Sequence, residues 1–222
     1  MKSNNILTII PARSGSKRLK LKNIKLFNGK PLIYWTIKQA LNIPNNNVIV
    51  STDDKVIAEI SIKEGASVPF LRPKYLSTDK ATSMNVIKYI IKKLKFNGIV
   101  ILLQPTSPLR NRKDILTSLS FFKDKKYNSI MSVYKFEYKS NIISQNKPPK
   151  PFNPINLKTN TNIFIPNGAI YIANSDWILK NTSFYVKETH TYEMPLERSV
   201  DIDYDFQFYA AETIFKKQKS NR

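Results

Sequence analysis

Nine Lys and Arg residues precede the first acidic residue, Asp53, and seven of them fall within Arg13–Lys30. The crowding begins where an apolar run ends, in IIPARSGSKRLKLKN from Ile9 to Asn23. An apolar strand that opens into a loop of small residues and cations can hold a polyphosphate. Gly15 lets the backbone approach a ligand closely, and successive N–H groups there can form an anion nest. Arg13, Lys17 and Lys22 would add charge-assisted bonds to phosphate oxygens. The loop is not a P-loop, because no Gly-Lys-Ser/Thr follows Gly15 at the required spacing, and GxGxxG is absent too. By itself the stretch reads equally as a solvated basic turn.

A second stretch answers the first in charge. Seven of the sixteen acids lie in Glu188–Glu212, and SVDIDYD spans Ser199–Asp205. If Val200–Asp203 is extended, Asp201 and Asp203 point to one side. Two adjacent carboxylates repel unless a cation lies between them, and Mg²⁺ takes one or two carboxylates with waters and substrate phosphates. Alone, the pair also reads as a solvated strand end. A third stretch, LLQPTSPLR at Leu102–Arg110, follows an apolar run directly. Gln104 both donates and accepts there, as sugar or base recognition requires. A cationic phosphate loop joined to a carboxylate metal pair describes an enzyme acting on a nucleoside triphosphate.

These residues need a frame that places strand ends side by side. Ile6–Ile10, Val48–Val50, Val68–Leu71 and Ile99–Leu103 read as short buried strands. Helical patterns follow them: Pro31 to Leu41, then a helix capped by Asp53 or Asp54 and stopped at Gly65, then Thr82 or Ser83 to Leu94. Alternating strands and helices predict an α/β chain, with a mostly parallel sheet covered by helices on both faces. In such sheets ligands sit beyond the carboxyl ends of the strands. Ser129–Val133 reads as a further strand. Ordered segments return at Pro166–Ala173 and Phe184–Val186, and a last helix runs from about Tyr204 to Lys217. Between them, 138–163 has no clear period and holds four prolines, the mark of a functional loop or an arm.

Bulk properties narrow the class. The 222 residues suit one large domain, residues 1–222, with an arm at about 138–163. No apolar run approaches the ~18 residues of a membrane span. Ile6–Ile10 is too short for a signal-peptide core. The chain has no cysteine, so disulfides and thiolate sites are excluded. A cytoplasmic protein is the expectation. The net charge of +20 invites a nucleic-acid reading. Abundant Lys, Asn and Ile point instead to a compositional background, with lysines such as Lys88, Lys92, Lys93 and Lys95 on solvated helix faces. No nucleic-acid partner is expected.

Taken together, IIPARSGSK with Lys22 and Asn23, VSTDD, FLRP, LLQPTSPLR, PNGAIYIA and SVDID resemble the nonulosonic-acid cytidylyltransferases, in family order from Ile9 to Asp205. The resemblance implies a Rossmann-like nucleotidyltransferase fold with a dimerisation arm, and a homodimer. It implies CTP and a nonulosonic acid as substrates, attack by the sugar's anomeric hydroxyl on the α-phosphate, and release of pyrophosphate. Arg13, Ser16, Lys17, Lys22 and Asn23 would hold the triphosphate and nucleoside, and Arg72 and Ser83 the cytidine part. Gln104 would touch the sugar. Asp201 and Asp203 match the metal pair for Mg²⁺ or Mn²⁺, with Asp203 the firmer ligand and Asp201 a second ligand or an aid to proton removal. Arg13, Lys22, Asp201 and Asp203 would carry the catalysis. Where some relatives have an Arg before Pro-Asn-Gly, this chain has Ile165, so the sugar's carboxylate needs another cation. N-acetylneuraminate or legionaminate fits the motifs best. The alternatives are a Kdo or pseudaminate enzyme, or a basic nucleic-acid-binding protein.

Overall fold

The computed structural model describes residues 5–136, 142–143, 151–152 and 163–220. Ten strands occur in chain order: β1 (Ile6–Pro11), β2 (Leu26–Phe27), β3 (Lys30–Pro31), β4 (Asn46–Ser51), β5 (Ile99–Leu102), β6 (Ser129–Phe136), β7 (Ile142–Ile143), β8 (Pro151–Phe152), β9 (Ile163–Asn174) and β10 (His190–Glu193). The α-helices are α1 (Leu32–Leu41), α2 (Lys55–Lys63), α3 (Ser83–Leu94), α4 (Arg112–Asp124), α5 (Ser175–Lys180) and α6 (Asp205–Ser220).

Six strands form one sheet in the order β10-β6-β9-β5-β1-β4. β1 pairs in parallel with β4 and β5, and β6 with β10, whereas β9 runs antiparallel to both its neighbours. Both faces are covered, which is why the strands read as unbroken apolar runs. Along β1, Ile6 and Ile10 join the core under α1, α2 and α4, while Leu7 and Ile9 join the core under α3 and α5. A third cluster, built on Phe27, Leu32, Leu109, Ile202 and Phe208, seats α6 against the turn that follows the basic loop.

Most of the expected elements are present, and the departures have local causes. No strand forms at Val68–Leu71. The chain makes one bridge, Ile49 to Ser67, and then leaves the sheet, because Pro69 has no N–H with which to continue the ladder. Asp54 alone caps α2, accepting from the Ile57 N–H at 2.9 Å. The sequence reading assigns nothing to α4, yet Asn111 and Asp114 form a capping box at its start. Its apolar positions Ile115, Leu119 and Phe122 all face the core. Phe184–Val186 is not a strand; β10 lies at His190–Glu193, where His190 stacks on Tyr127 at 3.6 Å. The expected arm falls outside the described residues, apart from the short antiparallel pair β7 and β8. Among the described residues no helix is long and apolar enough to cross a membrane.

Candidate active site

The carboxyl ends of β1, β4 and β5 lie together at one edge of the sheet. β9 enters at the same edge, since Tyr171 faces Leu102, the last residue of β5. A cleft of about 550 Å³ opens there. It is lined by Arg13, Ser16, Lys17, Arg18, Lys22, Asn23, Arg72, Asp79, Ser83, Gln104, Thr106 and Asp203, among others. Of the ten residues expected to form the site, nine line this cleft, and Asp201 lies just behind it.

The basic loop is shaped by the acid that ends the cationic run. Asp53, just past β4, accepts from the Ser14 N–H at 3.0 Å and from the Ser14 hydroxyl at 2.9 Å. The Ser16 N–H donates to the Ser14 carbonyl. Two N–H groups of the anticipated anion nest are therefore already bonded, one to Asp53 and one within the loop. Asn23 is buried, and its amide donates to the Arg13 carbonyl at 2.9 Å. Its clearest role is to close the loop on itself.

Lys22 crosses about 180 residues of sequence to reach the acidic stretch. Its ammonium donates to the Ile202 carbonyl at 2.7 Å and to Asp203 Oδ1 at 3.0 Å. Arg18, unassigned from the sequence, donates to Asp203 Oδ2 at 2.9 Å. Gln207 accepts from the N–H groups of Asp203 and Tyr204, so the start of α6 fixes Asp203. Asp79, which also lines the cleft, pairs with Arg13 at 2.8 Å and Lys17 at 2.6 Å.

Asp201 and Asp203 do not lie on a strand. They sit in a segment without regular structure between a 3₁₀ turn, Leu196–Arg198, and α6. The Ile202 N–H donates to the Thr106 carbonyl at 2.8 Å, and the Thr106 hydroxyl, which donates to Gln104 Oε1 at 3.5 Å, lies beside the Asp201 carboxylate. Burial pushes the Asp201 carboxyl above the usual carboxylate range; the negative charge of Asp203 adds to this, while Thr106 and Lys22 oppose it. Its Oδ1 is buried and finds no hydrogen-bond partner among the described residues. Gly168 makes room: a Cβ there would meet Asp201 Oδ2 at 3.5 Å and Gln104 Oε1 at 3.6 Å. With φ +76 at Gly29 and +71 at Gly168, both lie in the left-handed region, but only Gly168 faces the site.

Arg72 and Ser83 form the far wall with Leu76, Ala81 and Val86. Arg72 is buried; it donates to the Ser51 hydroxyl at 3.1 Å and to the Ser51 carbonyl. Burial pushes its guanidinium down to about 10, against the opposing pull of Asp53. Ser83 is the first residue of α3, whose unpaired N–H groups carry positive partial charge at the cleft. The wall is a partly apolar slot with a rigid cation, the form a base pocket takes.

Residues that the sequence reading did not assign are Arg18, Asp79 and Thr106. Arg18 was visible within the cationic run, whereas Asp79 and Thr106 carry no spacing signal and become functional candidates only through long-range folding.

The sequence model of the cytidylyltransferase family matches residues 7–216. The CMP-N,N'-diacetyllegionaminic acid synthase of Legionella pneumophila is 39% identical over 211 residues, covering 89% of this chain and 90% of that protein. The N-acylneuraminate cytidylyltransferase of Escherichia coli O18:K1:H7 is 37% identical over 98% of this chain, which spans only 53% of that longer protein. A solved CMP:2-keto-3-deoxy-manno-octonic acid synthetase complexed with CTP superposes with a TM-score of 0.74 at 16% identity, over 96% of this chain and 99% of that one. That likeness carries the fold, and the sequence matches carry the family. The chain belongs to the cytidylyltransferase family, in its nonulosonic-acid group.

Proposed function

We propose that the protein transfers CMP from CTP to a nonulosonic acid of the legionaminate or N-acetylneuraminate type. The observation that carries this reading is the convergence of Arg13, Lys17, Arg18 and Lys22 with Asp203 in one cleft, beside Gln104. The sugar's anomeric hydroxyl oxygen attacks the α-phosphorus of CTP; a new P–O bond forms, the hydroxyl proton passes to Asp201 or to water, and the bond to pyrophosphate breaks. The cations hold the triphosphate and stabilise charge on the leaving pyrophosphate, so positioning and electrostatics do most of the work. Arg72 and Ser83 face the cytidine, and Gln104 faces the sugar.

Asp201 and Asp203 suit Mg²⁺: both offer hard oxygen donors, and Asp201 brings a buried oxygen that lacks a partner among the described residues. The ion would polarise phosphoryl oxygens. The reading extends to a homodimer, supported by the family resemblance and by Ile165, which leaves the sugar's carboxylate in need of a cation from elsewhere. Light scattering should then give twice the 25.7 kDa chain mass, and a monomeric mass would reject it.

The deciding experiment incubates the protein with CTP and a mixture of nonulosonic acids, with Mg²⁺ or with EDTA, and identifies products by mass spectrometry. A CMP-sugar formed only with Mg²⁺ is the expected result. No CMP-sugar from any acid would reject the activity, and an unchanged yield in EDTA would reject the metal.

A further inference from the structure

Asp79 lines the same cleft as Asp203, and the reaction as described does not use it. Its two oxygens are divided between two cations: Oδ1 lies 2.8 Å from Arg13 and Oδ2 lies 2.6 Å from Lys17. A phosphate group engages two cations in the same way, with separate oxygens of one anion. Lys17 is 82% exposed in its side chain, so no packing forces it onto Asp79. The segment around Asp79 is otherwise held by its own neighbours. Ser77 donates from its N–H to the Lys74 carbonyl, and Ala81 to the Thr78 carbonyl. Arg13 supplies the remaining tie, a 3.4 Å bond to the Ser77 carbonyl. The strap from Ser77 to Ala81 is thus fastened to two cations of the phosphate loop.

We infer that Asp79 competes with the nucleotide's terminal phosphates for Arg13 and Lys17, and that the triphosphate binds by exchanging with it. The inference rests on the nucleotide-binding reading above and deepens it. Asp203 holds the other two cations, Arg18 and Lys22. Its position beside Asp201 suits it to stay in the site and share a metal. Among the described residues only Lys17 and Arg13 act on the Asp79 carboxylate, and it is displaced instead. Lys17 and Arg13 hold the Asp79 carboxyl below its ordinary value, so it remains an anion at any working pH. Exchange works in both directions. The carboxylate that gives way to the incoming triphosphate returns as pyrophosphate leaves, which limits how tightly product is held. Asp79 therefore lowers affinity for substrate and for leaving group alike, and leaves affinity for the nucleoside unchanged.

The test measures binding by calorimetry for wild type, Asp79→Asn and the surface control Asp176→Asn, each with CTP, pyrophosphate and cytidine in the presence of Mg²⁺. Asp79→Asn should bind CTP and pyrophosphate roughly three- to tenfold more tightly, the scale expected when two exposed ion pairs no longer compete. Cytidine affinity should not change, and Asp176→Asn should gain less than twofold for either anion, roughly the effect of one remote screened charge. CTP and pyrophosphate binding that is unchanged or weaker in Asp79→Asn overturns the inference, as does an equal gain in Asp176→Asn or for cytidine. Failure of every protein to bind CTP, with the pyrophosphate difference intact, would reject the nucleotide reading and leave the exchange standing. Failure to bind either anion would reject both.

Discussion

Among the described residues Arg110 is the largest fully buried side chain, and its hydrogen bonds go to neutral acceptors. It donates to the Ala169 carbonyl at 2.7 Å, the Gln104 carbonyl at 3.3 Å, the Gln39 side chain at 3.1 Å and the Thr36 hydroxyl at 3.0 Å. Burial pushes its guanidinium down to about 9, with Asp114 pulling weakly the other way. Neutral acceptors on four sides suit only the charged form, which carries five donors. The residue therefore joins α1, the turn bearing Gln104 and the strand that follows Gly168. Arg110→Met keeps the volume and strands the Ala169 carbonyl, while the Gln104 carbonyl keeps the Ser107 N–H at 3.3 Å. The stranded carbonyl costs about 1–3 kcal/mol and the lost bonds to Gln39 and Thr36 add to it, partly offset by removing a buried charge, so a net loss of roughly 2–4 kcal/mol is expected by urea denaturation. Because Gln104 would loosen while the phosphate loop stays intact, KM for the acid sugar should rise roughly tenfold with KM for CTP within about twofold. An equal rise in both would reject a positioning role through Gln104.

The carboxylate pair depends on elements that are themselves irregular. Asn167 ties the segment to β9: its amide donates to the Ser199 hydroxyl at 2.9 Å, and its oxygen accepts from Ser132 and from the Ala169 N–H. Arg198 ties it to α4 through two 2.9 Å bonds to Asp114, which also caps that helix. Arg198→Ala leaves a carboxylate buried without its cation. The expected cost is about 2 kcal/mol, below the ~3–5 of a fully enclosed pair because Asp114 keeps its bond to the Asn111 N–H. Turnover should fall several-fold and recover in part with Arg198→Lys; wild-type turnover in Arg198→Ala would show that α4 does not set the pair. This coupling explains what could be read from the sequence. Strands buried on both faces and capped helices leave local patterns, so β1, β4, β5 and α1 to α3 were legible, as was the opposite charge of the first and last stretches, though not the direct pairing of Lys22 with Asp203. The Val68–Leu71 run has the right apolarity but is stopped by Pro69. Asp201 and Asp203 alternate in sequence, yet tertiary bonds to Thr106 and Gln207 set their directions. Nothing local marks Asp79.

At the scale of the whole molecule, the net charge of +20 must be separated from the charge of the cleft. Both proposed substrates are anions, so a positive field would raise their encounter rate. Distance decides which charges contribute. Ser83 lines the cleft at the start of α3, and Lys92 lies nine residues further along that helix, about 14 Å away at 1.5 Å per residue. That exceeds the Debye length of about 10 Å at 0.1 M salt, so Lys92 and the lysines beyond it are screened from the cleft. Arg18 lines the cleft itself with its side chain 59% exposed. At 0.1 M salt, Lys92→Gln should leave kcat/KM for CTP within about twofold, whereas Arg18→Gln should lower it several-fold and flatten its dependence on salt. Equal effects of the two changes would mean that the overall charge, rather than its local arrangement, draws the nucleotide in. A charge that acts only locally also removes the reason to read +20 as a nucleic-acid footprint. A true footprint would give a steep salt slope with duplex DNA, one that many scattered lysines share.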